Sequence, residues 1–256
     1  MTMSDIQTLL KTLRLRAPER TIQALLEHAR TTHLGHMQLL EKLAATEREH
    51  CDAINLHNRL RDATLGTFTT IDNFDWDHPT TINRALYEQL HGLDFIDQGE
   101  NILFRGGCGL GKTTLAKNLA HQALLKGHSV RFGTLANIMA DLLKQESVPA
   151  LQRRMRRYSH PKLLVIDELG YMTADARAAD ILFNLISHRN RRVSTIITTN
   201  LPYKQWDTVF PGATSLVPLV DRFGEACHLI EVDGPSWRDK QGQAFRGKTK
   251  VKKPRT

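Results

Sequence analysis

Eight consecutive residues, Gly106-Gly107-Cys108-Gly109-Leu110-Gly111-Lys112-Thr113, limit what this chain can fold into more than any others do. They fit the pattern Gly-x-x-x-x-Gly-Lys-Ser/Thr at every fixed position. The apolar run Ile102-Leu103-Phe104 precedes them, and helical spacing follows over 112–126 until Gly127 ends it. A strand, a glycine loop and a helix in that order make an anion cradle. The glycines let backbone N–H groups turn inward with no Cβ in the way. The unpaired N–H groups at the helix start add a partial positive charge. Lys112 can then reach the outer phosphates of a nucleoside triphosphate, and the Thr113 hydroxyl suits Mg²⁺. Gly106, Gly107, Cys108, Gly109, Leu110, Gly111, Lys112, Thr113 and Thr114 are therefore the candidate ATP-binding residues.

Such a loop needs a sheet to hold its strand. Ser129-Val130-Arg131-Phe132, Leu163-Leu164-Val165-Ile166, Thr195-Ile196-Ile197-Thr198 and His228-Leu229-Ile230-Glu231-Val232 supply four further strand candidates. Helical spacing occupies 136–144, 151–158 and 176–188 between them. Alternation of this kind predicts an α/β domain: a five-stranded parallel sheet covered by helices on both faces.

The chain before the loop reads differently. Ile6, Leu9, Leu10 and Leu13, then Ile22, Leu25, Leu26 and Ala29, then Leu39, Leu40, Leu43 and Ala44 recur at helical spacing. A last helix through Ile54, Leu56, Leu60 and Ala63 should stop near Gly66. This predicts a small all-helical N-terminal domain at 1–66. The stretch 67–80 breaks the period and reads as a linker. Helical spacing resumes over 79–93 through Ile82, Leu86 and Leu90, and the α/β domain is expected at 81–240.

Net charge is +8, and after Gly234 eight basic residues face the single acid Asp239. The segment 241–256 is expected to be a disordered basic tail, either solubilising or drawn to polyanions. Arg153, Arg154, Arg156 and Arg157 form a basic cluster within the folded region, and Arg189, Arg191 and Arg192 form another. Either cluster reads as a solvated face or as a phosphate contact. No run approaches the roughly 18 apolar residues of a membrane span, and the N-terminus lacks the features of a secretory signal. Three scattered cysteines, Cys51, Cys108 and Cys227, fit a reducing compartment. The expectation is a cytoplasmic protein.

Three further signals bear on chemistry. Asp167 closes the buried run Leu163–Ile166, where a carboxylate can hold Mg²⁺ together with Thr113, and Glu168 beside it can take a proton from an attacking water. Asn200 ends the next strand candidate. In a sheet where that strand lies between the other two, its amide faces the γ-phosphate. Arg222 and Arg238 are late arginines that sequence alone would treat as surface residues.

Together these residues resemble the IstB-like AAA+ ATPases, the helpers of insertion-sequence transposases. The resemblance runs from Leu9-Leu10-Lys11-Thr12-Leu13-Arg14-Leu15 to Trp237-Arg238. Its most specific pieces are Arg153-Arg154 to Arg157, His160-Pro161-Lys162 through Asp167-Glu168-Leu169-Gly170-Tyr171, and Ser194 to Pro202 with Trp206. Bacterial helicase loaders share the phosphate loop and the acid pair, and the segment bearing Trp206 looks more like the transposition helpers. The family usually has proline where Cys108 stands and often histidine in place of Thr114; neither change removes a phosphate or metal ligand. The resemblance implies ATP and Mg²⁺ as cofactors, a homo-oligomer on duplex DNA, and a transposase as partner. It implies catalytic roles for Lys112, Asp167, Glu168 and Asn200, with Arg222 completing a neighbouring subunit's site and Arg238 acting as a second sensor. It also implies DNA contacts from Arg153, Arg154, Arg156 and Arg157. The alternative is a helicase-loader ATPase acting in replication. A small-molecule kinase on the same scaffold would not explain Glu168 or the arginines.

Overall fold

The computed structural model describes Thr8 and residues 12–237. Arg238, the tail at 241–256 and the opening leucines Leu9 and Leu10 lie outside the described residues. Two compact units divide the chain at 1–61 and 62–256.

In the first unit the described helices are α1 (Glu19–Thr31) and α2 (His36–Ala63), the last two residues of which belong to the second unit. Two separate helices were expected where α2 runs unbroken for 28 residues. Its sequence contains neither glycine nor proline between His36 and Ala63, so nothing interrupts the hydrogen-bond ladder. Thr64 and Gly66, both at positive φ, end it. Glu47 on α2 accepts the backbone N–H groups of Arg16 (2.7 Å) and Ala17 (2.8 Å), fixing the chain just before α1.

The second unit is built on six strands: β1 (Thr81–Ile82), β2 (Asn101–Gly106), β3 (Val130–Thr134), β4 (Leu163–Leu169), β5 (Ser194–Thr199) and β6 (Cys227–Asp233). Their order across the sheet is β1-β6-β2-β5-β4-β3. The five strands read from the sequence are all present and mutually parallel. The sheet as a whole is mixed, however, because β1 adds an antiparallel edge, with Thr81 opposite Asp233 and Ile82 opposite Val232. This corrects the five-stranded expectation, and with it the single helix expected over 79–93. The β-branched pair Thr81-Ile82 extends against β6. The Asn83 side chain then accepts the Leu86 N–H (3.0 Å) and starts α3 (Arg84–Leu90).

Among the described residues six more α-helices complete the unit: α4 (Asp94–Gln98), α5 (Lys112–Leu125), α6 (Leu135–Leu143), α7 (Val148–Ser159), α8 (Ala176–Arg189) and α9 (Leu216–Gly224). Alternation along the strands sorts them into two layers. Leu103, Leu164, Ile166 and Ile197 face a core with α6, α7, α8, α9 and Trp206. Ile102, Phe104, Leu163, Val165 and Ile196 face the other core, with α3, α4 and α5. Strands buried on both faces explain why their sequences are continuously apolar. Among the described residues no helix is long and apolar enough to cross a membrane.

Arg189 does not belong to a surface cluster. It is 1% exposed at the end of α8. Its guanidinium donates to the carbonyls of Tyr158 (2.8 Å), Ser159 (3.2 Å) and Pro161 (2.9 Å), to that of Ser194, and to Thr195 Oγ1 (2.9 Å). It thereby ties the end of α7 and the entry to β4 to the start of β5. Burial lowers its pKa to about 9. Arg189→Leu should strand these acceptors and cost about 3 kcal/mol or more. Thermal unfolding should show a drop of roughly 6–12 °C.

Candidate functional site

β5 pairs with β2 on one side and β4 on the other, so the carboxyl ends of these three strands are neighbours. Ligands of open parallel sheets gather at that edge. There β2 runs into the glycine loop and α5 begins at Lys112, with Gly111 as its N-cap at φ 85°. A Cβ on Gly111 would also lie 2.5 Å from the Phe74 ring, so two independent constraints require glycine. Lys112 is 8% exposed, and its ammonium donates to the carbonyls of Gly106 (2.7 Å) and Gly107 (2.5 Å). The lysine is thus folded back along the loop whose N–H groups form the cradle.

Asp167 is 3% exposed at the end of β4. Its Oδ1 accepts the hydroxyls of Thr113 (2.9 Å) and Thr198 (2.5 Å). Thr198 Oγ1 in turn accepts the Glu168 N–H at 3.0 Å. Regular pairing of β4 with β5 ends at Ile166–Ile197 and resumes at Leu169–Thr199, so one extra residue sits in β4. That is a β-bulge, with Asp167 and Glu168 both opposite Thr198. Glu168 takes up the irregularity at φ 61°, an uncommon conformation for a residue with a side chain.

A cavity of about 390 Å³ lies over this edge. Its polar part is lined by Gly109 to Thr114, Glu168, Thr198 and Thr199. Phe74, His78, Pro79 and Trp237 line another part. Trp237 donates its backbone N–H to the Gly109 carbonyl (3.0 Å), and its ring meets that of His78 edge-on at 4.7 Å. The stretch 67–80, read as a linker, therefore supplies part of the cavity lining. Its signal was present in the aromatic residues Phe68, Phe74 and Trp76, which a solvated linker has no use for. Thr198, hidden in a run of apolar and β-branched residues, carried no comparable signal.

The other candidates are distributed more widely. Asn200 follows β5 but does not line the cavity; its Oδ1 is buried against Gly170, where any side chain would collide with it. Cys108 is exposed, its Sγ 2.9 Å from the Tyr171 hydroxyl. Arg222 is exposed on α9, away from the cavity. The four arginines of α7 separate into two kinds. Arg153, Arg156 and Arg157 are exposed, whereas Arg154 makes a two-pronged pair with Asp141 at 2.6 and 2.7 Å. The hydrogen bond from Arg154, reinforced by one from the Tyr158 hydroxyl, holds the Asp141 carboxyl below its usual range against the opposing effect of burial.

The residues present fit a nucleoside triphosphate with a hard cation. Thr113 and Asp167 offer oxygen ligands only, as Mg²⁺ prefers, and Mg²⁺ commonly fills its remaining positions with phosphate oxygens and water. Against known families, residues 8–244 match the one described as IstB-like ATP-binding protein.

The chain belongs to the IstB-like ATP-binding protein family.

A Mycobacterium tuberculosis protein, named for ATP binding and an insertion sequence, is similar to this IstB-like chain at 30% identity. The similarity covers 92% of this chain and 94% of that protein. A Pseudomonas aeruginosa protein named for insertion sequence IS21 is 28% identical over 93% of this chain and 90% of its own length. Among solved structures, DnaI superposes with a TM-score of 0.53 at 16% identity, covering 66% of this chain and 89% of that one. AMPPCP-bound DnaA from Aquifex aeolicus does so at 0.54 and 17%, covering 75% and 59% respectively. These structural likenesses concern the fold, which is that of a P-loop AAA+ domain. The chain is thus an IstB-like ATP-binding protein whose domain has the fold seen in DnaI and DnaA. Gly111→Ala should destabilise it by about 1–3 kcal/mol, since left-handed backbone strain adds to the collision with Phe74. Thermal unfolding of the variant checks this.

Proposed function

We propose that this IstB-like ATPase binds MgATP in the cavity, assembles as an oligomer on duplex DNA, and recruits and stimulates a partner transposase. The observation that carries the nucleotide part is the Thr113–Asp167 contact, with Glu168 adjacent and the phosphate loop beneath. Lys112 would leave its loop carbonyls for the outer phosphates. Mg²⁺, held by Thr113 and Asp167, would neutralise phosphate charge. In hydrolysis the water oxygen bonds to the γ-phosphorus while the bond to the β–γ bridging oxygen breaks. Glu168 takes the water's proton, and ADP leaves with the bonding electron pair. Asn200, whose Oδ1 is buried against Gly170 outside the cavity lining, would have to turn toward the cavity to orient that water. Arg222, exposed on α9, is assigned to a neighbouring subunit's site, where it would stabilise charge on the transferred phosphoryl group. Arg238 is assigned to the same nucleotide as a second sensor.

Contact with DNA is assigned to Arg153, Arg156 and Arg157, which share the solvent side of α7. Such arginines meet phosphates rather than base edges, so binding would be salt-sensitive and largely independent of sequence. Arg154 is left out of this set because its guanidinium is already paired with Asp141. A helicase loader would use the same nucleotide site. The insertion-sequence names of the relatives that match nearly the whole chain favour transposition.

The first test is the ATP hydrolysis rate with and without random-sequence duplex DNA at two salt concentrations. Stimulation that fades with salt is expected; no stimulation at either salt would count against assembly on DNA. Lys112→Ala should abolish nucleotide-dependent assembly, and Glu168→Gln should trap the ATP-bound assembly, both read by light scattering. Each of Arg153→Ala, Arg156→Ala and Arg157→Ala should lower the slope of log K against log salt by about one unit. Arg154→Ala should leave the slope unchanged and instead lower the melting temperature.

A further inference from the structure

We infer that Thr198 is a positioning residue for hydrolysis, one that sets the geometry of the acid pair through a single hydroxyl. The inference rests on the nucleotide reading of the site given above.

Thr198 lies in β5 and is 1% exposed, paired to Phe104 of β2 on one side. Nothing in the packing of such a strand asks for a hydroxyl; Ile196 and Ile197 before it are fully buried hydrocarbon. On its other side the ladder to β4 is broken by the bulge, which sets two residues, Asp167 and Glu168, against one. At a regular position backbone groups would satisfy each other. Here the Glu168 N–H has been turned away from a ladder partner, and Thr198 Oγ1 accepts it at 3.0 Å. The same oxygen's proton goes to Asp167 Oδ1, which also receives the Thr113 hydroxyl. One side chain therefore fixes both acids and gives them different work. Asp167 is held inward beside Thr113. Glu168, at φ 61°, is left on the cavity wall.

Positive φ at a glutamate is held only when its surroundings over-determine it. Thr198 is the side chain seen to do so. Valine has nearly the same shape as threonine but neither donates nor accepts. Thr198→Val would release the Glu168 N–H and remove one of the two hydroxyls from Asp167, while the phosphate loop and Lys112 stay as they are. The effect should fall on the chemical step rather than on nucleotide binding.

The test uses the full chain and compares wild type with Thr198→Val and Thr198→Ser. For Thr198→Val, kcat is expected to fall between about 10- and 100-fold, with the Kd for ATP changed by less than about twofold. Thr198→Ser keeps the hydroxyl and should recover most of the rate. Amide hydrogen exchange at Glu168 should quicken in the valine variant and stay slow in the serine variant, a readout independent of activity. Wild-type kcat in Thr198→Val would overturn the inference, as would equal losses in binding and rate. Equal impairment of the valine and serine variants would also overturn it, by pointing to packing of the methyl group. Absence of hydrolysis by the wild type would instead overturn the nucleotide reading and this inference together.

Discussion

The Asp167 carboxylate joins pieces of chain that are far apart in sequence: the start of α5 through Thr113, the end of β4, and β5 through Thr198. Each contact depends on the strand order, which puts β5 between β2 and β4 so that the loop and the acid flank its tip. The buried carboxylate is tolerable because hydroxyl donors surround it. The same donors are what make it useful, since they hold its oxygen beside a hydroxyl that can share a cation. Stability and chemistry at this corner of the sheet rest on the same few hydrogen bonds.

The arginines illustrate how little a residue type says without its surroundings. Arg189 is a buried brace satisfied by backbone carbonyls and the Thr195 hydroxyl, with no acid paired to it among the described residues. Arg154 is locked to Asp141, and Arg191 pairs with Glu225 at 3.0 Å on the surface. Arg153, Arg156 and Arg157 remain exposed on α7. A polyanion gains most from the last group, because a guanidinium already paired must give up its partner first. In the sequence all of these looked alike.

Much of the fold was legible because period and punctuation agree. The apolar runs at 102–104, 163–166 and 195–198 are long enough for strands buried on both faces and too short for helices, and all became strands. The phosphate loop announced itself by spacing. What escaped were features set by single local interactions or by distant chain. Residues Thr81-Ile82 are too few to register as a strand until β6 arrives beside them. The contribution of Phe74, His78 and Trp237 to the cavity depends on segments over 150 residues apart in sequence meeting at one loop. The bulge at Asp167–Glu168 leaves no mark in composition, because its positive-φ residue, Glu168, is not one that turns usually select.

The backbone at Glu168 has a consequence for how such a sequence ages. A non-glycine residue held in the left-handed region carries strain of order 1 kcal/mol or more, and the acid is largely solvated, so its side chain returns little stability of its own. Glycine or asparagine would suit that conformation better than glutamate does. Drift judged by folding alone would therefore run away from the acid. Under the proposed hydrolysis, Glu168 holds that position for its chemistry and at a cost to the fold.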